Sequence, residues 1–300
     1  MSFPLVPRGR LVGLSFGMMR SLRRGRGSDV ANSRPYRTGD DIRAIDWASS
    51  ARLSSARQTD EFVVRERFAE EAPRVVIACD LRPEMSYYAP PLPWLDKAAA
   101  LRTCVELICE ATADAGGFVG YLDLAEAQPY WEPPRSARKA WELRQERLGS
   151  APFTASADTL ERELAYLADH RHSVTSGSFV FVLSDFLSPP PERAWLSALE
   201  RAWDVVPVVV QDPTWEQAFP DVGGLVVSFR DPRTGRIAPV RLTRREARAR
   251  RRENETRLRG VLQSFHSLGL DWVVVSRADR AGALGSFLGW GETRLARRAA

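Results

Sequence analysis

A chain of 300 residues with 44% hydrophobic content can bury one large core or two smaller ones, which excludes a disordered protein. The net charge of +5 balances 43 basic side chains, nearly all arginine, against 38 acidic ones, so a uniform nucleic-acid coat is excluded. Cys79, Cys104 and Cys109 form no CxxC pair, which points to neither a disulfide frame nor a zinc site.

Residues 1–33 are rich in Gly and Arg without a period and read as irregular structure. The apolar residues 11–19 fall short of the roughly 20 that a membrane span needs. An Arg cluster follows them instead of a cleavage site, so a cytoplasmic location is expected. Residues 34–52, RPYRTGDDIRAIDWASSAR, hold three Asp, four Arg and a Trp, the composition of a fixed ionic network around an aromatic. Residues 61–68 look strand-like, and Pro73 then punctuates the chain.

From Arg74 the pattern becomes regular. RVVIACD is an apolar run ending in an acid, as in a strand buried on both faces. A helical pattern spans 94–113 and stops at Gly116 and Gly117. Strands at 118–124, 178–186, 204–212 and 271–277 alternate with a helical pair over 136–170 and a helix over 192–202. RDPRTGR, flanked by apolar strands, predicts an antiparallel hairpin over 225–242. Thr243 and Glu246 form a capping box that opens a helix to about Leu268. The alternation predicts an α/β fold with a doubly wound, mostly parallel sheet. Such sheets bind ligands beyond the carboxyl ends of their strands, where Asp80 and Asp185 fall.

Gly39, Asp40, Asp41, Arg43, Ile45, Asp46, Trp47, Ala51 and Arg52, set directly before the first regular strand, resemble the motif of the bacterial "domain of unknown function 58" family. The strand, acid and polar loop in RVVIACDLRPEM and VLSDF resemble a von Willebrand factor A domain. The resemblance covers nearly the whole chain. It implies an N-terminal extension, 1–72, carrying the GDD/IDW motif, and a von Willebrand factor A-like domain over 73–300. It also implies a metal-dependent adhesion site, in which hydroxyls and carboxylates give Mg²⁺ about six oxygens. Here Arg82 and Glu84 stand at the two Ser positions, Asp158 falls near the Thr position with Thr154 and Thr159 as alternatives, and Asp185 supplies the third loop. A guanidinium cannot ligate a cation, so the site reads as degenerate, with no metal or cofactor expected.

Asp80, Arg82, Glu84, Asp158 and Asp185 are therefore expected to form a metal-free face for a protein partner. Such proteins are thought to act with MoxR-type AAA+ ATPases, so the expected function is a non-enzymatic interaction module. The alternatives are a metal-assisted hydrolase using Asp80, Asp158 and Asp185, and a nucleic-acid-binding protein using the terminal Arg clusters. In the motif, Gly39 permits a turn, Trp47 offers an apolar face, and Arg43 and Arg52 satisfy Asp40, Asp41 and Asp46, a structural role in which the stretch clasps the extension to the domain.

Overall fold

The described residues of this computed structural model are 2–8, 20–36, 45–57, 62–70, 72–126, 128–136, 146–231 and 233–299. They divide into two units, Gly9–Ala72 and Met1–Arg8 with Pro73–Ala300. The first eight residues thus belong with the larger unit and not with the extension.

In the smaller unit, strand β1 (Arg20–Pro35) pairs antiparallel with β2 (Val63–Glu70), and helix α1 (Trp47–Arg57) lies between them in sequence. Residues 20–35 are a strand where the Gly and Arg content predicts irregular structure. The ladder slips register at three points, and such bulges erase the alternation by which a strand is recognised.

The larger unit is built on a six-stranded sheet. Its elements are β3 (Arg74–Cys79), α2 (Lys97–Asp114), β4 (Phe118–Asp123), β5 (Tyr130–Ser136), α3 (Thr159–Asp169), β6 (Phe179–Ser184), α4 (Glu192–Glu200), β7 (Asp204–Val210), β8 (Val226–Arg230), β9 (Ile237–Arg241), α5 (Arg244–Ser267), β10 (Val273–Val275) and α6 (Arg280–Ala299). The strand order is β10-β7-β6-β3-β4-β5, parallel throughout except for β5 at one edge, so the sheet is mostly parallel as the βα alternation implies.

The strands β6 and β7 are buried along their whole length, because helices cover both faces of such a sheet. On one face Val180, Val182, Val205 and Val209 pack with Trp195, Leu164 and Phe265 from α4, α3 and α5. Toward the other, Phe181 meets Phe287 and Trp290 of α6 edge-on.

Strand β5 lies just ahead of the predicted helical pair, in residues to which the sequence pattern assigns no element. Pro133 and Pro134 cannot donate ladder bonds, which suits an edge strand and hides it from a propensity reading. Helix α6 was likewise not expected, since Gly282, Gly285, Gly289 and Gly291 lower its propensity. Gly291 has a packing reason: a Cβ there would lie 3.2 Å from Pro4. Residues 2–8 pack on α6, with Phe3 stacked on Phe287 at 4.5 Å between ring centroids. The buried Arg294 guanidinium donates to the Val6 carbonyl at 2.7 Å and to both Asp204 oxygens at 2.9 and 2.8 Å.

Candidate functional site

Four central strands of the larger unit end at or just before an acid: Asp80 after β3, Asp123 closing β4, Asp185 after β6 and Asp212 after β7. Parallel strands point these carboxylates toward the edge at which α/β sheets bind ligands. All four are buried, and a buried carboxylate costs several kcal/mol unless it is paired and hydrogen-bonded. Each is satisfied from within the chain.

Arg82 is only 2% exposed and turns back into the sheet edge. Its Nε donates to both Asp80 oxygens at 3.0 and 2.9 Å, and its Nη2 donates to Asp80 Oδ2 at 2.6 Å and Asp185 Oδ1 at 2.9 Å. The Ser184 hydroxyl adds a bond to Asp80 Oδ2 at 2.7 Å. Fully buried Lys97 then joins Asp185 Oδ2 at 2.8 Å to Glu216 Oε1 at 2.6 Å. Lys97 is the first residue of α2, where the helix dipole disfavours a cation, so the two carboxylates must hold it.

Beside this chain of charges, Arg147 closes on Asp123 with two bonds of 2.9 and 2.7 Å and lies over the Tyr130 ring. Asp212 accepts from the backbone N–H groups of Leu95, Thr214 and Trp215, each at 2.8 Å.

Three carboxylates, Asp80, Asp185 and Glu216, share two cations, and the geometry decides where the excess negative charge sits. Burial pushes Asp185 up, but the Lys97 and Arg82 charges on either side outweigh it and hold it below the usual range. At the two ends of the network burial prevails, raising Asp80 against Arg82 and Glu216 against Lys97. Burial would lower Lys97, yet Asp185 and Glu216 overcome it and keep the ammonium protonated.

The residues present do not fit a divalent cation. The Arg82 guanidinium fills the space between Asp80 and Asp185, presents donors instead of lone pairs, and would repel a second positive charge. Among the described residues no group of three or more His, Cys, Asp or Glu is arranged to hold a metal ion.

The five residues expected to form one recognition face are not brought together as one. Asp80, Arg82 and Asp185 are sealed from solvent, so none can contact a partner directly. Glu84, on the 3₁₀ turn Pro83–Ser86, pairs outward with Arg233 at 3.0 Å. Asp158 precedes α3 with its side chain 60% exposed, bonded to Ser156 and near Arg162. Of the alternatives at that position, Thr154 donates to the Ala125 carbonyl and buried Thr159 to Glu163. Lys97, Ser184 and Glu216 are the members that sequence reasoning missed. The one available signal was that only Lys97 and Lys139 among 43 basic residues are lysine.

In the smaller unit, Gly39, Asp40, Asp41 and Arg43 lie outside the described residues. Asp46 caps α1, accepting from Ser49 N at 3.1 Å and Ser49 Oγ at 2.7 Å, and its own N–H bonds Val63 O at the start of β2. Arg52 donates from Nε to the Ala48 carbonyl. Trp47, expected at the centre of an ionic network, is instead 60% exposed and meets Phe62 edge-on. Trp47→Ala should therefore cost less than about 1 kcal/mol, well below the roughly 3–5 kcal/mol of a buried ring, as a urea melt will show.

Residues 32–260 match the family described as "Protein of unknown function DUF58". An uncharacterised protein of Mycobacterium tuberculosis, Rv1480, is 25% identical over 223 residues, covering 74% of this chain and 67% of the relative. Its counterpart Mb1516 in Mycobacterium bovis matches equally. Among solved structures, BatB from Bacteroides thetaiotaomicron aligns at 15% identity with a TM-score of 0.46, covering 76% of this chain and 98% of that one. An aerotolerance-related membrane protein from Bacteroides fragilis aligns at 15% identity with a TM-score of 0.39, covering 65% and 99%. In this chain no helix among the described residues is long and apolar enough to cross a membrane. With three quarters of its length matched, the chain belongs to the DUF58 family.

Proposed function

We propose that the protein is a non-enzymatic interaction module built on a von Willebrand factor A-like domain, whose adhesion site carries an internal guanidinium in place of a metal. The observation that supports it is Arg82, seated between Asp80 and Asp185 with both its partners buried. With that seat taken, recognition would not run through a metal-bridged carboxylate, and the sealed edge would serve as a rigid platform for the loops around it. The metal-assisted hydrolase has less support, because Asp158 is exposed and pairs with Arg162 at 3.9 Å while Arg82 occupies the other two acids. A MoxR-type AAA+ ATPase is the proposed partner class, on the family resemblance, and the cytoplasm the proposed location.

Two measurements on the full chain test this. Calorimetric titration with Mg²⁺ and Mn²⁺ should give no stoichiometric heat and no change in melting temperature. A one-to-one site of micromolar affinity that disappears in Asp80→Ala would overturn the metal-free reading. A MoxR-type ATPase from the same cell should be retained by the immobilised protein in one nucleotide state, and no retention with ATP, with ADP or without nucleotide would remove that partner class.

A further inference from the structure

Strands β8 and β9 form a two-stranded sheet, which is marginal in water without something to pack on. One face has that support, since Phe229 meets Trp215 edge-on at 6.1 Å between ring centroids. Val226 pairs with Arg241, Ser228 with Pro239 and Arg230 with Ile237, and side chains alternate along a strand. These six therefore share the opposite face. On it Val226 is 64% exposed and Ile237 63%, and Leu225 just before them is equally open.

The segment that carries this face is predominantly basic. Ten arginines and two acids lie between residues 225 and 252, an excess of eight in a chain whose net charge is +5. All ten arginines are exposed. Among the described residues, only Arg233, Arg250 and Arg251 lie within 4.0 Å of a carboxylate.

Taking the interaction-module reading as its basis, we infer that the outward face of β8 and β9, with the arginines running into α5, docks an acidic polypeptide segment carrying aliphatic side chains. Carboxylates match guanidinium groups in two-pronged pairs, and the aliphatic positions need an apolar counterpart. Nucleic acid would satisfy the arginines, but bases stack on aromatic rings and the six outward residues include none. A lipid surface favours an apolar face separate from the charged one, whereas here Arg230 and Arg241 are interleaved with Val226 and Ile237. Pro239 in the middle of β9 lacks an N–H and blunts that edge, and on β8 the Arg230 carbonyl already accepts from the Tyr87 hydroxyl, so the segment lies across the face instead of extending the ladder.

The full chain should be tested by fluorescence anisotropy against a short labelled peptide alternating Glu with Val and Leu, against poly-glutamate of equal charge and against single-stranded DNA. Phosphatidylserine vesicles are followed by co-sedimentation. The mixed peptide should bind about tenfold more tightly than poly-glutamate. Val226→Ser with Ile237→Ser should remove that advantage while melting like the parent, and Arg241→Glu with Arg244→Glu should abolish binding. Equal affinity for poly-glutamate, tighter binding of DNA or vesicles, an unaffected serine variant, or no binding of any probe would each overturn the inference. If the serine variant still retains a MoxR-type ATPase that the parent retains, this surface falls while the interaction-module reading stands.

Discussion

Lys97→Ala is expected to cost about 3–5 kcal/mol of folding stability, the loss typical when one partner leaves a buried ion pair. The size follows from what remains. Asp185 and Glu216 would face each other across a dry gap, with Arg82 able to compensate only Asp185. Lys97→Met, which keeps most of the volume, should lose nearly as much, because the deficit is electrostatic. The pH dependence has a definite sign. Without the ammonium Asp185 loses the charge that holds it down and Glu216 rises further, so the variant's deficit is largest near neutrality and shrinks as pH falls toward about 4, where the unfolded chain is also protonated. Adding Glu216→Gln to Lys97→Met should recover part of the loss, a coupling that a double-mutant cycle reads directly. Urea unfolding at pH 7 and pH 4 is the measurement. A loss below about 1 kcal/mol at pH 7 would place the pair with weak surface bridges and contradict its burial.

What was legible beforehand follows from how local each signal is. The runs at Val75–Cys79 and Phe179–Ser184 announced themselves because a strand buried on both faces needs apolar residues without interruption. Asp80 and Asp185 were legible as strand-end acids for the same reason. Their partners were not, since Lys97 and Glu216 meet across 119 residues and neither belongs to a periodic pattern. Arg82 was legible as a cation standing at a metal-ligand position, but its pairing with Asp80 and its burial depend on the fold around it. The Trp47 error shows the converse. A large ring amid charges invites a buried reading, yet neighbouring charge does not decide burial, and this ring leans on Phe62 in the open. Strand β5 and helix α6 were hidden by Pro and Gly, whose cost there is offset by edge placement and by the close approach of Pro4.

Glu163→Gln is expected to make the protein more stable at neutral pH, against the usual direction of core substitutions. Glu163 lies on α3, wholly buried, with Oε1 accepting from Thr159 Oγ1 at 3.3 Å and Oε2 without a partner. Burial first, then the Asp80 and Asp123 carboxylates, push its carboxyl well above the usual 4.5, against a smaller pull from Thr159 and Arg82. The folded protein therefore keeps a proton that the unfolded chain releases. Stability contributed this way is fully present below pH 4.5 and falls as pH rises toward the folded value, at about 1.4 kcal/mol for each pH unit. Glutamine has the same shape without the titration, so the variant should match the parent near pH 4 and gain on it steadily through pH 5, 6 and 7. Asp80 and Glu216, also raised by burial, tilt both proteins alike and leave the difference to Glu163. Glu163→Ala separates charge from volume, since the cavity it leaves should lower stability at low pH as well. Parallel pH profiles for the parent and Glu163→Gln would show that Glu163 is ionised in the folded state, held by a partner that its buried, unpaired oxygen does not reveal.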